Sequence, residues 1–154
     1  MSRRLITKRR LRVALVLLLV ALVAIQFVPV ERINPPVTAE LQAPPEVAAV
    51  LRRACYDCHS NETVWPWYSY VAPVSWLVVH DVEEGRHSLN FSTWGEGSAK
   101  RQAHEREEVW EMVESGEMPL WFYVPLHPEA KLADADRAVL RAWSTAKGDD
   151  RAGD

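Results

Sequence analysis

Cys55-Tyr56-Asp57-Cys58-His59 sets two thiols three positions apart, with an imidazole directly after the second. C-x-x-C-H is the attachment pattern of a c-type haem. Two thiols add across the two vinyl groups on one porphyrin edge, and the two intervening residues make the short turn that matches the vinyl separation. The histidine that follows is then held beneath the iron as an axial ligand. On this reading Cys55 and Cys58 carry the covalent links and His59 is the proximal ligand. Other cysteine chemistries fit less well. A structural zinc site takes four Cys or His ligands in recognisable pairs, and this chain has two cysteines in all and no H-x3-5-H partner. A thioredoxin-like pair belongs to a βαβ context, which the flanking residues do not offer. A Cys55–Cys58 disulfide is compatible with an oxidising compartment but leaves His59 without a role.

The elements that must deliver this motif begin at the N-terminus. Arg3, Arg4, Lys8, Arg9, Arg10 and Arg12 precede an uncharged stretch from Val13 to Val30. As a helix that stretch is about 27 Å long at 1.5 Å per residue, close to a hydrocarbon core of about 30 Å. Positive charge on the leading side predicts that residues 1–12 stay cytoplasmic and that everything beyond the span is exported. The expectation is a single-pass signal anchor over residues 13–30 in a bacterial inner membrane, with a periplasmic C-terminal domain. The rival is a cleaved signal peptide. Its apolar region runs about 7 to 15 residues and ends in a small-x-small site, whereas Gln26-Phe27-Val28-Pro29-Val30 follows here with no A-x-A pattern. Export suits the motif, because c-type attachment in bacteria takes place outside the cytoplasmic membrane and makes the attachment machinery an expected partner.

Residues 31–154, 124 in number, suffice for one small core. Of the 18 basic residues six lie in the first thirty positions, which leaves twelve against all 21 acidic ones, a net of −9. An acidic exported domain has no electrostatic reason to bind nucleic acid. It is suited to meeting a basic patch on a redox protein partner, and equally to staying soluble. Residues 31–45, with prolines paired at 35–36 and 44–45, read as a stiff linker that stands off the bilayer and stays out of the core. Residues 148–154 read as a polar tail.

Between linker and tail, a domain over residues 46–147 shows helical patterns and no convincing strand. Pro45 starts a helix in which Val47, Val50, Leu51 and Ala54 recur at helical spacing and which leads straight into Cys55. Pro73 opens a second helix, terminated by Gly85. A third runs from about Ser98 to Ser115, with Ala99, Ala103, Trp110 and Val113 expected inward and Glu105, Glu107, Glu108 and Glu111 outward. Asp134 is expected to cap a fourth, with Ala135, Val139, Leu140 and Trp143 inward and Gly148 near its end. Seven tryptophans are many for this length, and Trp65, Trp67, Trp76 and Trp94 follow closely on the motif. About half should pack on a macrocycle's flat apolar face and the rest in ordinary core.

The run CYDCHSNETVWPWYSYVAPVSWLVVHDVEEGRHSLNFSTW from Cys55 to Trp94, followed by GEMPLWFYVPLHPEAKL from Gly116 to Leu132, resembles the bacterial haem-binding domain family of small exported proteins. The similarity spans roughly residues 40–146, with W-P-W-Y-S, L-N-F-S-x-W, M-P and H-P in order. It implies a monohaem, c-type cytochrome-like domain and leaves the reaction open. The fold expected is therefore mostly α: one N-terminal transmembrane helix and a small cytochrome c-like helical domain around one covalent haem. The order of helices and motif is that of class I cytochromes c, an analogy of arrangement.

Met118, in Glu117-Met118-Pro119-Leu120, lies sixty residues after Cys58 and follows a helix, much as the ligand methionine precedes a proline in class I cytochromes c. A thioether there raises the reduction potential relative to two imidazoles. Its competitors are His80, expected as a hydrogen-bonded core residue, His87 and His104, expected to face solvent, and His127, expected to cap a turn. An open or water-bound iron is the remaining alternative. Met112 is expected to pack in its helix. Arg52, Arg53, Arg86, Asn61, Tyr68 and Tyr70 can donate hydrogen bonds to propionates, Arg52 and Arg53 being the most solvent-facing. Three functional classes follow: a one-electron carrier, a peroxidase-like enzyme with His80 or Arg86 over an open iron, and a haem-based sensor or assembly subunit.

Overall fold

The computed structural model describes residues 2–146, with side chains from residue 7 onward. Gly148 and the expected tail 148–154 lie outside the described residues. The chain is mostly helical, with six α-helices and no strand among the described residues. It divides into two compact units, residues 1–33 with 65–81 and residues 34–64 with 82–154.

In the first unit α1 (Ser2–Ala24) runs into a single 3-10 turn, Ile25–Phe27. Leu, Val and Ala with no interior Gly or Pro sustain the helix, and Pro29 ends it by forcing Val28 into an extended conformation. Thr7–Phe27 is a 21-residue span, basic up to Arg12 and uncharged beyond it, whose apolar part is not buried within the protein and which is long enough to cross a bilayer. The helix begins earlier than the apolar residues, taking the basic N-terminal residues into the same rod. The unit's other segment, 65–81, holds a 3-10 turn at Trp67–Tyr70 and the first half of α4 (Val74–Ser88). Side chains at the end of α1 grip it. Gln26 donates from Nε2 to Ala72 O at 3.0 Å and accepts Ala72 N–H on Oε1 at 2.9 Å. Arg32 donates to Ser69 O at 3.0 Å, and its guanidinium stands 4.3 Å over the Tyr70 ring centre.

The second unit is built on α2 (Pro45–Ala54), the one-turn α3 (Tyr56–His59), the end of α4, α5 (Ala99–Ser115) and α6 (Asp134–Thr145). Pro45 occupies the first turn, where its missing N–H costs nothing, and Val47, Val50, Leu51 and Ala54 all reach the core. α6 packs on both α5 and α2. An aromatic ladder crosses this core from α6 to the motif: Trp143 on Trp94 and Trp94 on Phe91, both with centroids 6.0 Å apart, then Phe91 on Tyr56 at 5.1 Å. Stacks of this kind add about 0.5–1.5 kcal/mol each beyond area burial.

Several local expectations need correction. α5 turns inward through Glu105, Val109 and Val113, one stripe at i, i+4, i+8, while Ala99 and Ala103 are exposed. Glu105 can be buried because Arg101 Nε donates to it at 2.7 Å. Met112 is exposed. Gly116, with φ 79°, ends α5 in the left-handed region that only glycine enters without strain. The cap of α6 is Ala133, whose N–H donates to the Asp136 carboxylate at 2.8 Å, so Asp134 is its first residue; Ala135 faces solvent. α4 does not stop at Gly85 and continues to Ser88.

The stand-off role expected for residues 31–45 is also overturned for its C-terminal part. The N–H groups of Thr38 and Ala39 donate to Ser92 O at 3.2 and 3.1 Å, Leu41 N–H donates to Phe91 O at 2.8 Å, and the Leu41 side chain is in the core. Prolines keep this stretch extended, and an extended strand of free N–H groups satisfies itself most readily on neighbouring carbonyls.

Candidate functional site

α2 delivers the motif without a break: Cys55 N–H donates to Leu51 O at 2.8 Å, and one tight turn follows, with Cys58 N–H and His59 N–H both donating to Cys55 O at 3.2 and 2.9 Å. The side chains after the motif lock the turn. Ser60 Oγ donates to Tyr56 O at 2.7 Å and accepts Glu62 N–H at 2.9 Å, while Phe91 N–H donates to His59 O at 2.8 Å. Asn61 donates to Pro36 O at 2.8 Å and accepts from Asn90 Nδ2 at 2.9 Å, and its own N–H donates to Ser92 Oγ at 2.9 Å. The Ser-Asn pair and the L-N-F-S run are thus two sides of one polar clasp that fixes the motif against residues 89–92.

His59 sits at the centre of this clasp. Its Nδ1 lies 2.9 Å from Gly85 O and 3.2 Å from Leu89 O. Carbonyl oxygens only accept, so Nδ1 carries the proton and Nε2 is the nitrogen with the lone pair. Burial holds the imidazole below its usual 6.5 against the opposing pull of the Leu89 and Gly85 carbonyls, which keeps the ring neutral at pH 7. A neutral ring with an oriented Nε2 is the form in which histidine binds a metal, and a carbonyl on the other nitrogen is the usual support of a ligating histidine.

Gly85 explains how that carbonyl comes so close. A Cβ at this position would stand 2.8 Å from Cys58 O and 3.2 Å from both Cys58 C and Cys58 Cβ. Only a residue without a side chain lets α4 pass across α3 at this distance, which is why a glycine stands inside a helix, where it costs about 1 kcal/mol relative to alanine. In the sequence Gly85 reads as a helix terminator; a glycine with helix formers on both sides is the signal for a close approach. The Leu89 carbonyl carried no signal in the sequence at all.

Cys55 and Cys58 are both half-buried, with no disulfide between them. Burial, with a smaller push from the neighbouring Cys58, raises the Cys55 thiol to about 12. No group of three or more His, Cys, Asp or Glu side chains able to hold a metal ion occurs among the described residues. The donor set suits a haem iron instead: one neutral imidazole with Nε2 as its acceptor nitrogen, beside two thiols at C-x-x-C spacing.

Arg86 is consumed by the protein. Nε donates to Ser60 O at 2.7 Å and NH2 donates to Thr63 Oγ1 at 2.8 Å and Asn34 Oδ1 at 2.9 Å. Arg52 pairs with Glu40 and Glu62 while lying 4.7 Å over the Tyr56 ring, and Arg53 pairs with Asp136.

Met118 is half-buried just past α5, its N–H donating to Met112 O at 3.0 Å. The turn that follows returns to the motif through Tyr123, whose hydroxyl donates to Asp57 Oδ2 at 2.8 Å and whose ring stacks on His127 with centroids 4.0 Å apart. His127 Nδ1 is also 3.1 Å from the Glu129 carboxylate. His87 and His104 face solvent, as their charged neighbours suggested. His80 is exposed and is no core histidine. Among the tryptophans, Trp94 and Trp143 are core, whereas Trp67 and Trp121 are strongly exposed.

No curated protein and no solved structure was found to match the chain. A family model described as a haem-binding domain matches residues 20–146, most of the molecule and all of the site just described. The chain belongs to the haem-binding domain family.

Proposed function

We propose that this haem-binding protein is a membrane-anchored, periplasmic monohaem cytochrome of the c type that carries single electrons. The haem is held through thioethers to Cys55 and Cys58, with His59 as the proximal ligand and Met118 as the sixth. The observation that carries the reading is the paired carbonyl support of His59 Nδ1, from Gly85 O at 2.9 Å and Leu89 O at 3.2 Å, on a neutral imidazole that directly follows the two thiols. When bound, the haem supplies a one-electron ferric–ferrous couple.

The chain's own residues do the rest. His59 presents Nε2, the clasp of Ser60, Asn61, Asn90 and Ser92 keeps the turn from shifting, and the aromatic ladder behind Tyr56 keeps water from that side. Tyr123, five residues after Met118, ties the Met118 segment to the motif through Asp57, which supports Met118 over the solvent-facing histidines. The peroxidase-like alternative loses one of its two candidate polar groups, since Arg86 is committed to Ser60, Thr63 and Asn34. Residues 13–30 anchor the chain in the inner membrane, and a redox protein is the partner in view.

The test is expression of the full chain with a working c-type attachment system. Haem should remain on the polypeptide after denaturing electrophoresis, and Cys55→Ala or Cys58→Ala should weaken or abolish that stain. The oxidised protein should show the weak near-infrared sulfur-to-iron band, and Met118→Ala should remove it, lower the potential and open the reduced protein to carbon monoxide. A wild-type chain with a Cys55–Cys58 disulfide and no covalent haem would refute the c-type reading, and a spectrum indifferent to Met118→Ala would refute the sixth ligand.

A further inference from the structure

We propose that residues 65–77 form a second membrane contact, an aromatic ledge seated in the outer headgroup layer beside the end of α1. The ledge rests on the anchor reading above and adds to it a lipid-binding surface far along the sequence from the span.

Its depth is set by bonds to the end of the apolar helix. Gln26 lies in the last turn of the Thr7–Phe27 stretch and holds both the N–H and the C=O of Ala72. Arg32 holds Ser69 O and covers Tyr70. A segment tied to those two residues lies where the hydrocarbon ends. That layer favours Trp and Tyr, whose rings stay in apolar surroundings while the N–H or O–H reaches the headgroups.

The segment's polarity is also inverted for a surface that meets water. Trp67 is 77% and Leu77 51% exposed, and Tyr70, Val74 and Trp76 face outward with them, while Ser69 and Ser75 are 0% and 3% exposed. A helix packed on a protein core and facing water turns its serines out and its Val and Leu in; the start of α4 does the reverse. From Thr63 to Val79 the chain has no charged residue to solvate such a face. A contiguous exposed apolar patch marks an interaction surface, and the tether to the end of the span selects lipid as its occupant over a protein partner. The exposure of His80 fits this arrangement, since it stands one turn beyond Trp76, where the apolar face ends.

The test uses the haem-loaded, full-length chain in liposomes of phosphatidylethanolamine and phosphatidylglycerol. A lipid-soluble diazirine is photolysed in the bilayer and its adducts are mapped by mass spectrometry. Peptides covering 13–27 and 65–77 should both carry label several-fold above the polar helix α5. The double variant Trp67→Glu, Trp76→Glu should lose most of the label at 65–77 and keep it at 13–27. If 13–27 is labelled but 65–77 is no higher than α5, the ledge is wrong and the anchor stands. Absence of label from both segments overturns the anchor and the ledge together.

Discussion

Replacing Gly85 with alanine adds one methyl group where α4 crosses α3, and the structure lets its effect be worked out in advance. In an exposed helix the change stabilises by about 1 kcal/mol through propensity. Here the new Cβ would lie 2.8 Å from Cys58 O and 3.2 Å from Cys58 C. Both are backbone atoms, so no side chain can rotate away, and relief requires α4 to retreat from the motif. Overpacking of this kind costs typically about 1–3 kcal/mol, and with rigid backbone on both sides the upper part of that range applies. The net expectation is a loss of about 1–2 kcal/mol, or roughly 5–15 °C in melting temperature for a unit of this size. Retreat also lengthens the His59 Nδ1 contact to Gly85 O, so the reduction potential of the haem-loaded protein should move with stability. Gly97→Ala is the matched control. Its backbone has an ordinary φ of −74°, and the nearest atom to a new Cβ is Arg101 Cδ at 3.3 Å, in an exposed side chain that can yield a few tenths of an ångström while keeping its bond to Glu105. That variant should be neutral or gain up to about 1 kcal/mol. Urea and thermal unfolding of both variants give the comparison. A Gly85→Ala protein as stable as wild type, with an unchanged potential, would show that the helix crossing is not what positions His59.

Two further variants probe the frame around the site. Arg86→Ala removes the charge-assisted hydrogen bonds that join Ser60, Thr63 and Asn34, and should cost about 2–4 kcal/mol; Arg86→Lys should recover little, because one ammonium cannot reproduce the planar fork. A lysine variant with a wild-type urea midpoint would sink that account. Asp136 is held below its ordinary 3.8 first by its hydrogen bond from Arg53 and then by the Ala133 N–H. Its folded value is depressed, so its contribution is present above 3.8 and is lost as pH falls toward the folded value. Stability measured against pH should therefore decline more steeply below pH 4 in wild type than in Asp136→Asn, the two curves meeting at the acid end; parallel curves would remove Asp136 from the acid response.

What could be read directly from the sequence was whatever depends on covalent spacing or on a single helical period. The two thiols and the imidazole are neighbours in the chain, so the C-x-x-C-H chemistry needs no fold to be legible. The buried stripe of α2, Val47, Val50, Leu51 and Ala54, follows from one 3.6-residue period, and the apolar run of α1 from length and composition. Family membership was legible for a related reason, since the motifs that carry it stand in order along 55–132.

Contacts between distant segments were decided only by the tertiary structure. Which nitrogen of His59 bears the proton depends on two carbonyls, at 85 and 89, brought near by a helix crossing that one missing side chain permits. Whether residues 34–43 stand off or pack depends on unpaired carbonyls at 91 and 92 that have no sequence signature. The inward face of α5 is not legible in the sequence, because a glutamate at 105 looks like surface until Arg101 is brought beside it. The outward aromatics of 65–77 look like core for the opposite reason: hydrophobicity reports that a side chain avoids water, and only the fold shows that Trp67, Tyr70 and Trp76 point away from the protein.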